Sequence, residues 1–196
     1  MPLRLPSLPR RALLTLALVG LAVAACDSDP APEFGERDLI AVVDGDTFVG
    51  ILADGEEIVV YACDGTDDGT GSGPAPTVYQ WIFGANAGGD FDLKDGGVRL
   101  VGAFADDGTA SGTLTLADGV EHAFTASPAS GEEGVYLAEE GDYKGGWVVI
   151  ADDVRGAVIN RNTGDLISGS RFQPSMVTVE VEGVTLTPAK MSITDF

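Results

Sequence analysis

From Asp38 onward the apolar residues fall into short runs with a period close to two, and most runs close on a turn signal. The runs at 39–43, 48–52 and 58–63 are followed by Asp44-Gly45, Asp54-Gly55 and Asp64-Gly65, and the same dipeptide returns at Asp95-Gly96, Asp107-Gly108 and Asp118-Gly119. Asp-Gly between apolar runs predicts a tight antiparallel hairpin, because glycine accepts the positive φ that such a turn demands. Residues 78–83 predict a strand with Tyr79, Trp81 and Phe83 on one face and Val78 and Ile82 on the other. Strands follow at 120–126 and 134–138, separated by Ser127-Pro128. Residues 147–150 pair with 154–159 across Ala151-Asp152-Asp153, and 176–181 and 184–187 form a hairpin around Glu182-Gly183. Past the first 25 residues no long segment holds a helical period, so the fold class is all-β, a single antiparallel meander after an N-terminal signal helix.

Four glycines refine this to a closed or nearly closed small barrel. Gly50, Gly102, Gly112 and Gly156 each sit two residues from large apolar side chains and so share their face. Glycine weakens a strand unless the strand bends or another group comes close. Small barrels fill a narrow interior by alternating small and large residues, and all four glycines are therefore expected to face that interior.

The first residues carry Arg4, Arg10 and Arg11 and no acid, followed by an apolar run from Ala12 to Ala25 that is interrupted at Thr15 and Gly20. A basic start, a short apolar middle and a small-residue end describe a secretory signal, and the run is shorter than the roughly 20 residues of a membrane-spanning helix. Val23, Ala24 and Ala25 lead directly into Cys26. This order resembles the lipobox of bacterial lipoproteins. The resemblance implies that residues 1–25 are removed, that Cys26 is lipidated and that the domain sits outside the cytoplasm with a lipid bilayer as its first partner. Asp27 follows the cysteine, which under the enterobacterial sorting rule implies the periplasmic face of the inner membrane. Residues 26–37 are then a disordered tether and 38–196 the barrel-like domain.

Composition narrows the partners. The chain has 11 Lys+Arg against 31 Asp+Glu; without the three leader arginines the balance is 8 minus 31, or −23. Such acidity repels phosphate backbones and excludes nucleic acid as a partner. With Cys26 lipidated, Cys63 is the one cysteine left, so no intramolecular disulfide forms; within its apolar run it reads as a small buried residue. Tyr61-Ala62-Cys63-Asp64-Gly65 and Gly112-Thr113-Leu114-Thr115-Leu116 resemble uncharacterised secreted β-domains of high-GC bacteria, a resemblance that implies no activity.

Recognisable catalytic sets are missing from this pattern. His122 is the single histidine and shares the strand parity of Val120 and Phe124, which predicts a packed, structural side chain. No G-x-S-x-G elbow supplies a nucleophile for it. One histidine and one thiol are too few for zinc, and no cofactor is expected. Asp64, Asp67 and Asp68 cluster in the glycine-rich loop 64–77, the longest uncommitted loop. They are the candidate partner or ligand contacts and weak calcium candidates, against a default of solvated turns. Asp44-x-Asp46 is followed by Phe48 where an EF-hand needs an oxygen ligand.

The reading favoured is a membrane-anchored extracytoplasmic lipoprotein with a non-catalytic binding or envelope-associated β-domain, its partner an unidentified protein or small molecule. Surface loops at 64–77, 85–90 and 139–145 are its candidate contacts. Two alternatives stay open: an anchored hydrolase using paired carboxylates, and a lysozyme-inhibitor-like lipoprotein, since those too are small anchored β-barrels.

Overall fold

The computed structural model describes residues 35–65, 74–86, 89–169 and 172–196. The signal helix, Cys26 and most of the tether lie outside the described residues, as do Asp67 and Asp68.

Eight antiparallel strands form the meander: β1 (Arg37–Val42), β2 (Phe48–Ala53), β3 (Glu57–Cys63), β4 (Tyr79–Ala85), β5 (Asp90–Asp95), β6 (Val98–Phe104), β7 (Ala110–Thr115) and β8 (Glu121–Pro128). Their hydrogen-bonded order is β4-β3-β2-β1-β8-β7-β6-β5, so the two ends of the chain order, β1 and β8, are neighbours inside the sheet. The sheet curls until its outer strands β4 and β5 meet. Leu93 of β5 fills the space above Gly84 of β4, and Gln80 Nε2 donates to Asp95 Oδ2 at 2.7 Å across the seam. The result is a barrel closed by side chains at one seam and by backbone ladders elsewhere.

All eight strands send apolar side chains into one buried cluster that fills the interior, among them Leu39, Ile51, Val60, Leu93, Leu100, Leu114 and Phe124, with Ile82 from β4. Strand parity is as the sequence predicts: Ile82 points inward with Val78, while Tyr79 and Trp81 point outward. β2 and β3 read as nearly unbroken apolar runs because both faces are covered. Outside them lies a second sheet, ordered β12-β11-β10-β9-β15, built from β9 (Gly134–Glu140), β10 (Tyr143–Ile150), β11 (Asp153–Asn160), β12 (Leu166–Ser168) and β15 (Ala189–Lys190). The hairpin of β13 (Val179–Val181) and β14 (Val184–Leu186), with Glu182 at positive φ and Gly183 beside it, packs with Phe172 on the far face of that sheet.

The expectation for the glycines divides. Gly102 and Gly112 face each other across β6 and β7 on the interior side, where a methyl group on Gly102 would strike the Phe91 ring and one on Gly112 the Val101 carbonyl. Gly50 and Gly156 face elsewhere. Gly50 shares its face with Phe48 and Leu52, as parity requires, but that face meets the second sheet, and Val135 occupies the room a side chain would need. Gly156 lies flat against the Trp147 indole within the second sheet. Ser127-Pro128 does not break β8, which runs through to pair Pro128 with Leu39 and Ser127 with Ile40 of β1. Proline is tolerated there because the ladder with β7 stops at Ala126, so position 128 has a ladder partner on the β1 side alone.

Candidate functional site

The acids of the Asp-Gly turns are mostly spent on the turns themselves. Asp44 accepts from the N–H of Asp46 (3.0 Å) and Thr47 (2.7 Å), Asp54 from those of Glu56 and Glu57 (both 2.7 Å), Asp107 from Thr109 (3.0 Å) and Asp118 from Val120 (2.9 Å). Each side chain mimics a backbone turn while the following residue, glycine at positive φ in three of the four, finishes the reversal. The Glu57 and Glu56 backbone N–H groups hold the Asp54 carboxyl below its ordinary value, and the Thr109 hydroxyl and N–H do the same for Asp107.

Asp64 has a comparable use over a longer span. Its carboxylate accepts from the N–H groups of Thr77 (2.9 Å) and Val78 (2.9 Å) and from the Thr77 hydroxyl, drawing together the two ends of loop 64–77. Gly156 N–H donates to Gly65 O at 2.9 Å and ties the same loop base to β11. Its oxygens are therefore engaged in closing the loop, and among the described residues no group of three or more Asp, Glu, His or Cys side chains is arranged to hold a metal ion. The region 139–145 is a two-residue turn at Gly141-Asp142 joining β9 to β10, not a loop. At 85–90, Asn86 is buried and its amide donates to Asp54 O at 2.6 Å, fastening β4 to the β2–β3 turn.

The two residues best suited to chemistry at neutral pH are both engaged. Cys63 is wholly buried between β3 and the second sheet, and its thiol donates to Arg155 O at 3.3 Å. Burial pushes that thiol well above its ordinary pKa, which removes the thiolate needed of a nucleophile. His122 lies inside one end of the barrel with Nδ1 3.8 Å from Asp44 Oδ2. Burial works against charge on Asp44, but the Thr47 and Asp46 N–H groups and His122 outweigh it and hold its carboxyl low. Cys63 and His122 lie on β3 and β8 and belong to different faces of the barrel wall.

One cleft gathers charge over an apolar floor. About 430 Å³ in volume, it is lined by Glu36, Arg37 and Asp38 at the start of β1, by Leu52 of β2, and by Lys190 to Ile193 with Asp195. The Asp38 side chain is 26% exposed; Oδ2 lies 3.5 Å from Lys190 Nζ, while Oδ1 is sealed from solvent without a hydrogen-bond partner. Burial raises the Asp38 pKa, with Lys190 opposing and Glu133 adding to the rise. Sequence reasoning missed Asp38 because its burial comes from β9 and β15, which meet β1 from about 100 and 150 residues away. A second cleft, about 370 Å³, opens on the other side of residues 191–196 and is lined by Glu57, Ile58, Val59, Phe83, Gly84 and Phe196. Comparison with protein-family models, curated proteins and solved structures returns no match.

Proposed function

We propose that this protein is a lipid-anchored, extracytoplasmic binding domain that does not catalyse a reaction. The observation that carries the reading is the engagement of Cys63 and His122. The thiol is buried, held to a backbone carbonyl and shifted away from ionisation, and the imidazole sits against the turn carboxylate of Asp44. With the barrel interior filled by side chains, ligand contact falls to the outer surface, where two clefts with apolar floors lie beside residues 191–196. The anchor rests on the order of the leader and on Cys26. Fatty-acid labelling in the native host tests it: label is expected in wild type and lost in Cys26→Ala, and equal labelling of the two refutes the anchor.

A hydrolase using paired carboxylates draws on one observation, the raised pKa of Asp38 in a cleft shared with Glu36 and Asp195. Two contacts weigh against it. Asp38 offers one oxygen to Lys190 and seals the other, and Asp195 Oδ2 accepts from the Ser192 N–H at 2.7 Å and from its hydroxyl at 3.1 Å. A general acid must reach the leaving group, and the carboxyl with the raised pKa, Asp38, has one oxygen against Lys190 and the other sealed from solvent.

A further inference from the structure

One end of the barrel carries the turn 43–47 between β1 and β2 and the turn 116–120 between β7 and β8. Val43 and Leu116 pack from these turns against the interior cluster. The hydrogen bonds of the first turn are internal to it: Val43 N–H donates to Thr47 O at 2.9 Å, and Asp44 Oδ1 accepts from the N–H of Asp46 and Thr47. Asp44 Oδ2 has the Thr47 hydroxyl at 3.4 Å and His122 Nδ1 of β8 at 3.8 Å. Among the described residues that is the one ion pair joining this turn to another strand. His122 stands where the barrel elsewhere is apolar. The phrase Leu-Ala-Asp-Gly-x-Glu occurs at 52–57 and again at 116–121, each time leading into a strand. The residue after the first is Ile58, wholly buried in the interior; the residue after the second is His122, opposite Leu114. The charges around it are acidic: Asp44 and Asp46 on one turn, Asp118 on the other and Glu121 beside it on β8. Lys94 and Arg99 alternate outward from the interior residues Leu93 and Leu100, and Arg99 pairs with Asp92 at 2.6 Å.

We propose that His122 and Asp44 form a pH-dependent latch, which fastens the β1–β2 turn across this end of the barrel in mildly acidic surroundings and releases it in alkaline ones. At 3.8 Å the two side chains are too far apart for a hydrogen bond from a neutral imidazole. Imidazole takes up a proton between about pH 5 and 8, and the ring then carries a charge that faces the carboxylate. The side chains are 22% and 28% exposed, so the attraction is screened less than at the open surface. Burial opposes charge on Asp44, but the Thr47 and Asp46 N–H groups outweigh it and hold the carboxyl low, so Asp44 stays ionised through this range. The added hold is therefore present below the imidazole range and is lost as pH rises through it. What it restrains is the cover over the interior: lifting the turn takes Val43 off the end of the apolar cluster. The latch goes beyond the binding reading and does not rest on it.

The test is hydrogen exchange on the full mature chain, read residue by residue and divided by the intrinsic rate at each pH. Protection of the Asp46 and Thr47 amides is expected to rise about threefold from about pH 8 to about pH 5.5, the gain of a partly exposed ion pair. Thr109, whose N–H donates to Asp107 in the turn at the other end of the barrel, should show no such change. In His122→Gln, which cannot take up the proton, protection at Asp46 and Thr47 is expected to be equal at both pH values and to match wild type at the higher one. Asp44→Asn keeps a side-chain carbonyl for the turn N–H groups and loses the charge, so it should flatten the response as well. It serves if glutamine at 122 disturbs the interior. Each variant is first shown to unfold cooperatively. Unchanged wild-type protection across the range, or a pH response that persists in a folded His122→Gln or Asp44→Asn variant, would overturn the proposal. His122 is the single histidine in the chain, so a response lost with it has no other imidazole to account for it.

Discussion

Two aspartates near the edges of the barrel respond to pH with opposite sign. Asp54 is exposed and its carboxyl is held low by turn N–H groups, so its contribution to stability is present above the ordinary carboxylate range and is lost as pH falls through its folded pKa. Asp38 is raised by burial, so its folded state favours the proton and its contribution weakens as pH rises through the folded value. The difference in stability between Asp54→Asn and wild type should therefore close on acidification below about pH 4. For Asp38→Asn the variant should gain on wild type as pH rises from that range toward neutrality. Denaturant midpoints across the pH series measure both, and parallel curves for either variant would contradict the assigned shift. Asp54 was legible in the sequence because Asp-Gly is local chemistry. Asp38 was not, because Lys190, Glu133 and the burial that raises it arrive from distant strands.

Among the elements, face assignment was the most legible property. Alternation placed Val78 and Ile82 opposite Tyr79 and Trp81, and the structure puts the first pair in the barrel interior and the second under the covering sheet. What alternation does not say is which face is the interior when both are apolar. Gly50 shows the difficulty, since its neighbours Phe48 and Leu52 look like barrel core and belong instead to the interface with β9 and β10. Gly50→Ala should overpack that interface and cost about 1–3 kcal/mol. Val135→Ala makes room for the added methyl, so the double variant should lose less than the sum of the single losses. Urea unfolding of the four proteins measures the coupling, and strict additivity would show that Gly50 and Val135 do not share the space.

At the scale of the molecule, the meander followed from turn signals spaced along 38–126, and its near closure was read from in-strand glycines, of which Gly102 and Gly112 do face the interior. The layering did not follow, because strands after Pro128 carry the same alternation and turn chemistry as those before it, and only their partners differ. The second sheet has a functional consequence: it buries Cys63 and narrows the open part of the β1–β4 outer surface to the ground crossed by residues 191–196. The central claim is that the domain binds and does not catalyse. It is tested most directly by complementation of a deletion strain with a folded His122→Ala/Cys63→Ser double variant, the fold checked by its cooperative unfolding. Full complementation is the expected result; a folded double variant indistinguishable from the deletion would contradict the claim.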